Sequence, residues 1–241
     1  MIKQYLCKQT DIVSPIMKIK KLDITVSDEI KSRCPDFKGA AVYAEVKNSA
    51  YSEALWQKIN EYIERYRSIY TIDSIKEMKS IQATRVAYKK CGKDPSRYRP
   101  SSEALCRRLL QGKELYQIDT LVDLINLASI NSGHSIGGFD YDKIEGDTLV
   151  LGIGKAGEPY EGIGRGELNI EGLPVYRDAK GGIGTPTSDN ERTKIELDTH
   201  HILAIMNAYS GSEGLKEYVS FMVDLLNDFA EAANVEIIYF D

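Results

Sequence analysis

A chain of 241 residues with formal net charge −5, 42% hydrophobic and 28% charged residues, has the balance of a soluble globular protein rather than a disordered one. No apolar run approaches the ~18 residues a membrane helix requires, and Lys3, Lys8 and Asp11 interrupt Met1 to Met17, so neither a span nor a signal-peptide core is expected. Cys7, Cys34, Cys91 and Cys106 are scattered without a C-x-x-C pair and share no zinc-ligand spacing with His134, His200 and His201. They read as free thiols of a cytoplasmic protein, with no metal and no cofactor.

Residues 21–26 (KLDITV) and 39–46 (GAAVYAEV) read as strands, the second bounded by Gly39 and Asn48-Ser49. A short helix is predicted between them, from Ser27 to Cys34, ending before Pro35. From Ser52, the residues Leu55, Ile59, Tyr62, Ile63, Tyr66 and Ile69 recur at helical spacing and predict an amphipathic helix. Ser74 to Cys91 continues helically, with Gly92 as its stop. These helices pack on the early strands and carry no catalytic pattern.

Arg85 to Lys113 holds nine lysines and arginines against two acids, a net +7 island in a chain that is otherwise −12. Such a patch attracts phosphates over about one Debye length, roughly 8–10 Å. Tyr88 and Tyr98 lie among the cations, which suits nucleic-acid backbones and unstacked bases. A solvated helix face that happens to be basic is the plainer reading of the same residues.

Asp94 to Pro100 is a connector with two prolines, and Pro100-Ser101-Ser102-Glu103 predicts a serine-capped helix running to Gln111, with Gly112 as its stop. Leu121 to Ser129 is an apolar helix carrying Asp123 and Asn126 on one face, so those polar groups face a cleft or find buried partners. Most of the 19 glycines lie between 133 and 184, among short apolar runs at Thr148–Leu151 and Leu173–Tyr176, which predicts strands and turns. His201 to Ala208 reads as a strand and Ser210-Gly-Ser-Glu213 as a capping box. The helix it opens carries Leu215, Tyr218, Val219, Met222, Leu225, Leu226 and Phe229 on one stripe, and Val235 to Phe240 follows as a strand. The expected class is α+β, helical towards both ends with a β-rich middle.

Several motifs lead nowhere. Gly152-Ile-Gly154-Lys-Ala-Gly157 matches G-x-G-x-x-G, but Glu158-Pro159 and three more glycines follow, so no helix can receive a pyrophosphate there. Asp140-Tyr-Asp142 would need glycine where Glu145 stands to form a calcium loop. His200 and His201 point to opposite faces of a strand, and no G-x-S-x-G elbow is present.

Gly92-Lys-Asp-Pro-Ser-Arg-Tyr-Arg-Pro-Ser-Ser-Glu-Ala-Leu-Cys-Arg-Arg108, Leu121-Val-Asp-Leu-Ile-Asn126 and Ile136-Gly-Gly-Phe-Asp140 together resemble free-standing relatives of the B3/B4 domain, the editing domain of the phenylalanyl-tRNA synthetase beta subunit. The likeness covers roughly Arg85 to Ala208. It implies a β-sandwich-like pair of central sheets of unusual topology flanked by helices. Residues 1–80 would be an α/β segment packed on an 81–241 domain, in one compact unit. It also implies a site that removes tyrosine wrongly esterified to tRNA. Asn126 sits where the family has a pocket asparagine, Gly137 in place of its histidine and Gly138 in place of the next alanine. Gly181-Gly182-Ile183-Gly184 is similar to its glycine-rich wall. The family's glutamate follows a threonine resembling Thr199, and at the matching offset this chain has Ile205. Selectivity for a tyrosine hydroxyl rests on such polar groups, so it is not carried over.

The resemblance therefore implies an RNA-binding protein acting on aminoacyl-tRNA, with ester hydrolysis that clears a mischarged amino acid in trans as its candidate activity. Asn126, Asp123, Gly137, Gly138, Gly182, Gly184 and Thr199 are the expected aminoacyl pocket. Arg85, Tyr88, Arg97, Arg99, Arg107 and Arg108 are the expected tRNA contacts, with DNA not a partner. A positioned water beside backbone amides and the tRNA's terminal hydroxyl would serve hydrolysis without a side-chain base. A non-catalytic module binding a free amino acid or similar small ligand is the alternative, and a purely structural interaction protein a third.

Overall fold

Two four-stranded sheets face each other, and helices cover the outer face of one of them. The computed structural model describes residues 22–241, so Cys7, Lys21 and the Met1–Met17 stretch lie outside the described residues. The elements are β1 (Asp23–Val26), α1 (Asp28–Arg33), β2 (Lys38–Glu45), α2 (Glu53–Ile69), α3 (Lys79–Cys91), α4 (Ser101–Leu110), α5 (Thr120–Ser132), β3 (Ile136–Asp140) and β4 (Thr148–Ile153). After them come β5 (Glu161–Gly162), β6 (Gly166–Glu167), β7 (Pro174–Arg177), β8 (Gly182–Gly184), β9 (His201–Ala208), α6 (Leu215–Ala230) and β10 (Ala233–Phe240). One sheet has the order β1-β4-β7-β8, with β1 and β4 parallel; the other is antiparallel in the order β10-β2-β9-β3.

The central strands of the second sheet, β2 and β9, are buried on both faces, which is why they read as nearly unbroken apolar runs. Period-two alternation divides their side chains between two cores. Ala40, Val42, Ala44, Ile202, Ala204 and Met206 pack under α2, α4, α5 and α6. Ala41, Tyr43, Phe139, Leu203 and Ile205 fill the sandwich against Leu149, Leu151, Tyr176 and Ile183. Both cores draw side chains from before and after residue 80.

Three helix starts differ from expectation. The Ser74–Cys91 segment is broken: Ser74–Glu77 is a 3-10 turn, and Met78 adopts extended backbone before α3 begins. Helix α4 has Pro100 at its cap position and no side-chain cap, because the Ser101 N–H donates to Pro186 O at 2.8 Å and Ser102 turns inward towards Ser135. Ser210–Glu213 is no capping box either. Gly211 and Gly214 take left-handed backbone (φ 91° and 70°), Glu213 pairs with Lys79, and α6 opens at Leu215.

Candidate functional site

The apolar face of α5 leans on α4 and on β3, and the loop after β8 closes over the gap. The space left is a cavity of about 800 Å³. Ser101 and Leu105 of α4, Val122, Ile125, Asn126 and Ser129 of α5, and Ile136 and Gly138 of β3 form its walls. Ile163, Thr185, Ser188 and Asp189, with the segment from Lys194 to Asp198, complete it. Ile118, Ile163 and Leu197 are exposed at 56%, 41% and 59%, so the mouth has an apolar lip.

The polar centre is Asp189. Strand β3 is the edge of its sheet, so the outward N–H of Gly138 is not taken by a neighbouring strand and donates to Asp189 Oδ2 at 3.1 Å. Burial pushes the Asp189 carboxyl up to about 7, only partly opposed by that hydrogen bond. The loop carrying it is stitched internally. Thr185 Oγ1 donates to Ser188 O at 3.0 Å and accepts from the N–H groups of Thr187 and Ser188, while Tyr160 Oη donates to Ser188 O at 2.7 Å.

Of the expected pocket residues, Asn126 and Gly138 line this cavity. Gly138 is small for cause: a Cβ there would lie 2.6 Å from Ile125 Cδ1 and 3.0 Å from Ile195 Cδ1. Gly137 and Gly184 stand behind Asp189. A Cβ on either would strike the Phe139 ring and approach Asp189 Oδ1, at 3.3 and 2.9 Å respectively, so their smallness seats the carboxylate. Gly182 instead makes room for Tyr160. Asp123 is not among the residues lining the cavity: its carboxylate accepts from Trp56 Nε1 at 2.7 Å and from the Ile118 N–H at 3.0 Å, and burial raises its pKa. Thr199 is buried and donates to Asp140 Oδ2 at 2.9 Å, pinning the segment that follows Lys194. Ile205 points into the sandwich core.

Asp189 is the residue that the sequence reading missed. It follows a Thr-Pro-Thr-Ser turn with no periodic neighbours, so it carries no local signal beyond the glycines at 181–184.

The cationic island divides. Glu103, about 1% exposed, takes Arg85 Nη1 at 2.8 Å and Arg107 Nε at 2.8 Å, with Arg99 Nε at 3.7 Å. Lys93 is turned inward to the carbonyls of Asn169 and Glu171 and lies over the Tyr98 ring. Tyr88 is fully buried, its hydroxyl 2.9 Å from Thr187 Oγ1, so it presents no face to a base. Arg97 remains exposed. Arg108 lies one turn beyond Leu105 on α4 and stacks on Tyr116, which is 63% exposed, 3.8 Å from the ring centroid.

The B3/4 domain model matches residues 83–220, which include every wall of the cavity except Ala50. No curated protein matches the chain. An N-terminal fragment of the phenylalanyl-tRNA synthetase beta-subunit from Pyrococcus horikoshii is similar at 14% identity with a TM-score of 0.47, over 91% of this chain and 52% of that one. The chain thus spans about half the length of that fragment. Because the family model covers more than half of its residues, the chain belongs to the B3/4 domain family.

Proposed function

We propose that the protein acts on the aminoacyl end of aminoacyl-tRNA, taking the amino-acid moiety into the cavity and releasing it by ester hydrolysis. The observation that carries the reading is a cavity with aliphatic walls into which Asp189, a carboxylate without an ion-pair partner among the described residues, is set beside Asn126 and Ser129. Such a site fits a small body with one charged or polar head. Asn126, Ser129 and Thr185 supply polar contacts for a substrate or for a water aimed at the ester carbonyl. The acceptor strand would approach over α4, where Arg108 and Tyr116 offer a cation on an aromatic face and Arg97 a further cation. The buried free thiols Cys34, Cys91 and Cys106 suit the reducing cytoplasm in which such a substrate occurs.

The test is deacylation of a panel of mischarged tRNAs. Release above background from at least one member is expected, and no release from any member ends the hydrolase reading.

A second reading, a non-catalytic module for a small amine or amino acid, draws on a specific observation. Glu103 engages three of the island's arginines, and Asp119, Glu196 and Asp198 place carboxylates around the cavity. Ligand-induced stabilisation without RNA affinity would select it.

A further inference from the structure

We infer that the cavity selects a ligand with a primary ammonium group on a branched aliphatic body and no free carboxylate, Asp189 being the partner of the ammonium. The inference deepens the proposed reading, and rests on it, by naming the chemistry of the group that enters the site.

Three features carry it. First, Asp189 has an unmet electrostatic need. Among the described residues its carboxylate receives one hydrogen bond, from Gly138 N–H, and no Lys, Arg or His pairs with it. Lys194 lines the same cavity, but its Nζ lies 2.9 Å from Glu191 Oε2 and 3.8 Å from Glu196 Oε1. A half-buried carboxylate without a cation is unfavourable until a ligand supplies one.

Second, the walls are aliphatic. Leu105, Val122, Ile125, Ile136 and Ile195 supply apolar surface, and among the described residues no aromatic ring lines the space. The uncharged polar side chains of the lining are Ser101, Asn126, Ser129, Thr185 and Ser188, and a side-chain hydroxyl such as that of tyrosine, set against the aliphatic residues instead, would lose its hydration with little return.

Third, acidic groups outnumber cations around the cavity. Among the described residues, Asp119 at the start of α5, Asp189, Glu196 and Asp198 stand against one lining cation, Lys194. That field favours an ammonium and opposes a carboxylate, so an amino acid whose carboxyl is masked as an ester or amide is preferred over the free zwitterion. An ester of a branched aliphatic amino acid meets all three conditions.

The binding is pH-dependent. The groups around Asp189 are Tyr160, neutral because burial raises its hydroxyl pKa, and the Lys194, Glu196, Asp198 and Asp119 side chains just named. Asp189 ionises as pH rises through about 7, and an α-amino group loses its proton near ~8. Affinity therefore peaks between those values and falls on either side.

The experiment is isothermal titration of the protein with four probes at pH 7.5: L-leucinamide, N-acetyl-L-leucinamide, L-leucine and L-tyrosinamide. L-Leucinamide is expected to bind at least about tenfold tighter than each of the others, in keeping with one charge-assisted hydrogen bond or one good apolar fit. Asp189→Asn, which keeps an acceptor for the Gly138 N–H, is expected to erase the preference over the acetylated probe while melting at or above the wild-type temperature. Equal binding of leucinamide and its acetyl derivative, a preference that survives in Asp189→Asn, tighter binding of tyrosinamide, or no binding of any probe would each overturn the inference. No RNA enters the titration. Failed deacylation with intact leucinamide binding removes the proposed reaction alone, and the converse result removes only this selectivity.

Discussion

Arg85 Nη1 meets Glu103 Oε2 at 2.8 Å, and Glu103 is almost wholly buried while Arg85 is only partly so. With Arg107 on its other oxygen, this carboxylate fixes α3 against α4 and neutralises part of the charge that makes residues 85–113 stand out in the sequence. Removing a buried ion's counter-charge costs about 3–5 kcal/mol, and less where the partners reach water. Glu103→Gln is therefore expected to lower the unfolding free energy by about 2–4 kcal/mol. Urea denaturation checks it, and a loss under about 0.5 kcal/mol, the range of ordinary surface substitutions, would show the triad to be dispensable.

The same geometry sorts the cations available to RNA. Arg97 and Arg108 lie outside the Glu103 cluster, so Arg97→Glu and Arg108→Glu are expected to weaken tRNA retention and to reduce the salt slope by about 1 for each phosphate left without its arginine. Arg107→Glu is expected to act mainly on stability, since it sets a second carboxylate against Glu103. Filter binding across a salt series separates the two effects. Unchanged retention in the Arg97/Arg108 double variant would reduce the island to a solvated face.

How much of the fold and the site is legible in the sequence follows from how local each signal is. Strand β9 and helix α2 are readable because their apolar spacing repeats over eight and seventeen residues. The start of α6 is not, because the Ser210–Glu213 pattern fits a capping box while the glycines at 211 and 214 and the distant Lys79 decide otherwise. Asn126 and Gly138 are found through motif resemblance. Tyr88 looks like a stacking residue because the charges around it are visible in sequence, whereas its burial against Thr187, 99 positions away, is not. Asp189 belongs to the same class, since its meaning comes from Gly138 across 51 residues.

Gly154 shows what the G-x-G-x-x-G run is for. A Cβ at this position would sit 1.9 Å from the Ile170 carbonyl oxygen, and the Gly154 carbonyl accepts the Gly172 N–H at 2.9 Å. The glycine permits two backbone segments to touch. Because the obstacle is backbone, Gly154→Ala is expected to cost about 2–3 kcal/mol through a forced shift. Gly157→Ala has open space but a positive φ of 68°, and is expected to cost about 1 kcal/mol. Thermal melts of the two variants should rank in that order, and the reverse ranking would refute the close-approach account.

Two titratable groups, buried His134 and half-buried Asp189, make opposing contributions to stability against pH. Burial pushes His134 down to about 4, and its Nδ1 has no hydrogen-bond partner among the described residues. The unfolded chain takes up that proton near ~6.5, so folding loses stability as pH falls from about 6.5 towards 4. Asp189 runs the other way. Its folded pKa of about 7 exceeds the ~3.9 of an unfolded aspartate, so its contribution is present below about 4 and is lost as pH rises through 7. Each changes stability by up to about 1.4 kcal/mol per pH unit, with Asp189 discounted for its partial exposure. Between about pH 4.5 and 6.5 the two nearly cancel in the wild type. Asp189→Asn removes one arm, so its stability is expected to climb relative to wild type by about 1 kcal/mol per unit as pH rises across that window. His134→Gln is expected to tilt the opposite way. Unfolding free energies measured across the window decide the matter: parallel curves for wild type and Asp189→Asn would mean that the carboxyl in the cavity is solvated as in water, and that its burial shapes neither stability nor binding.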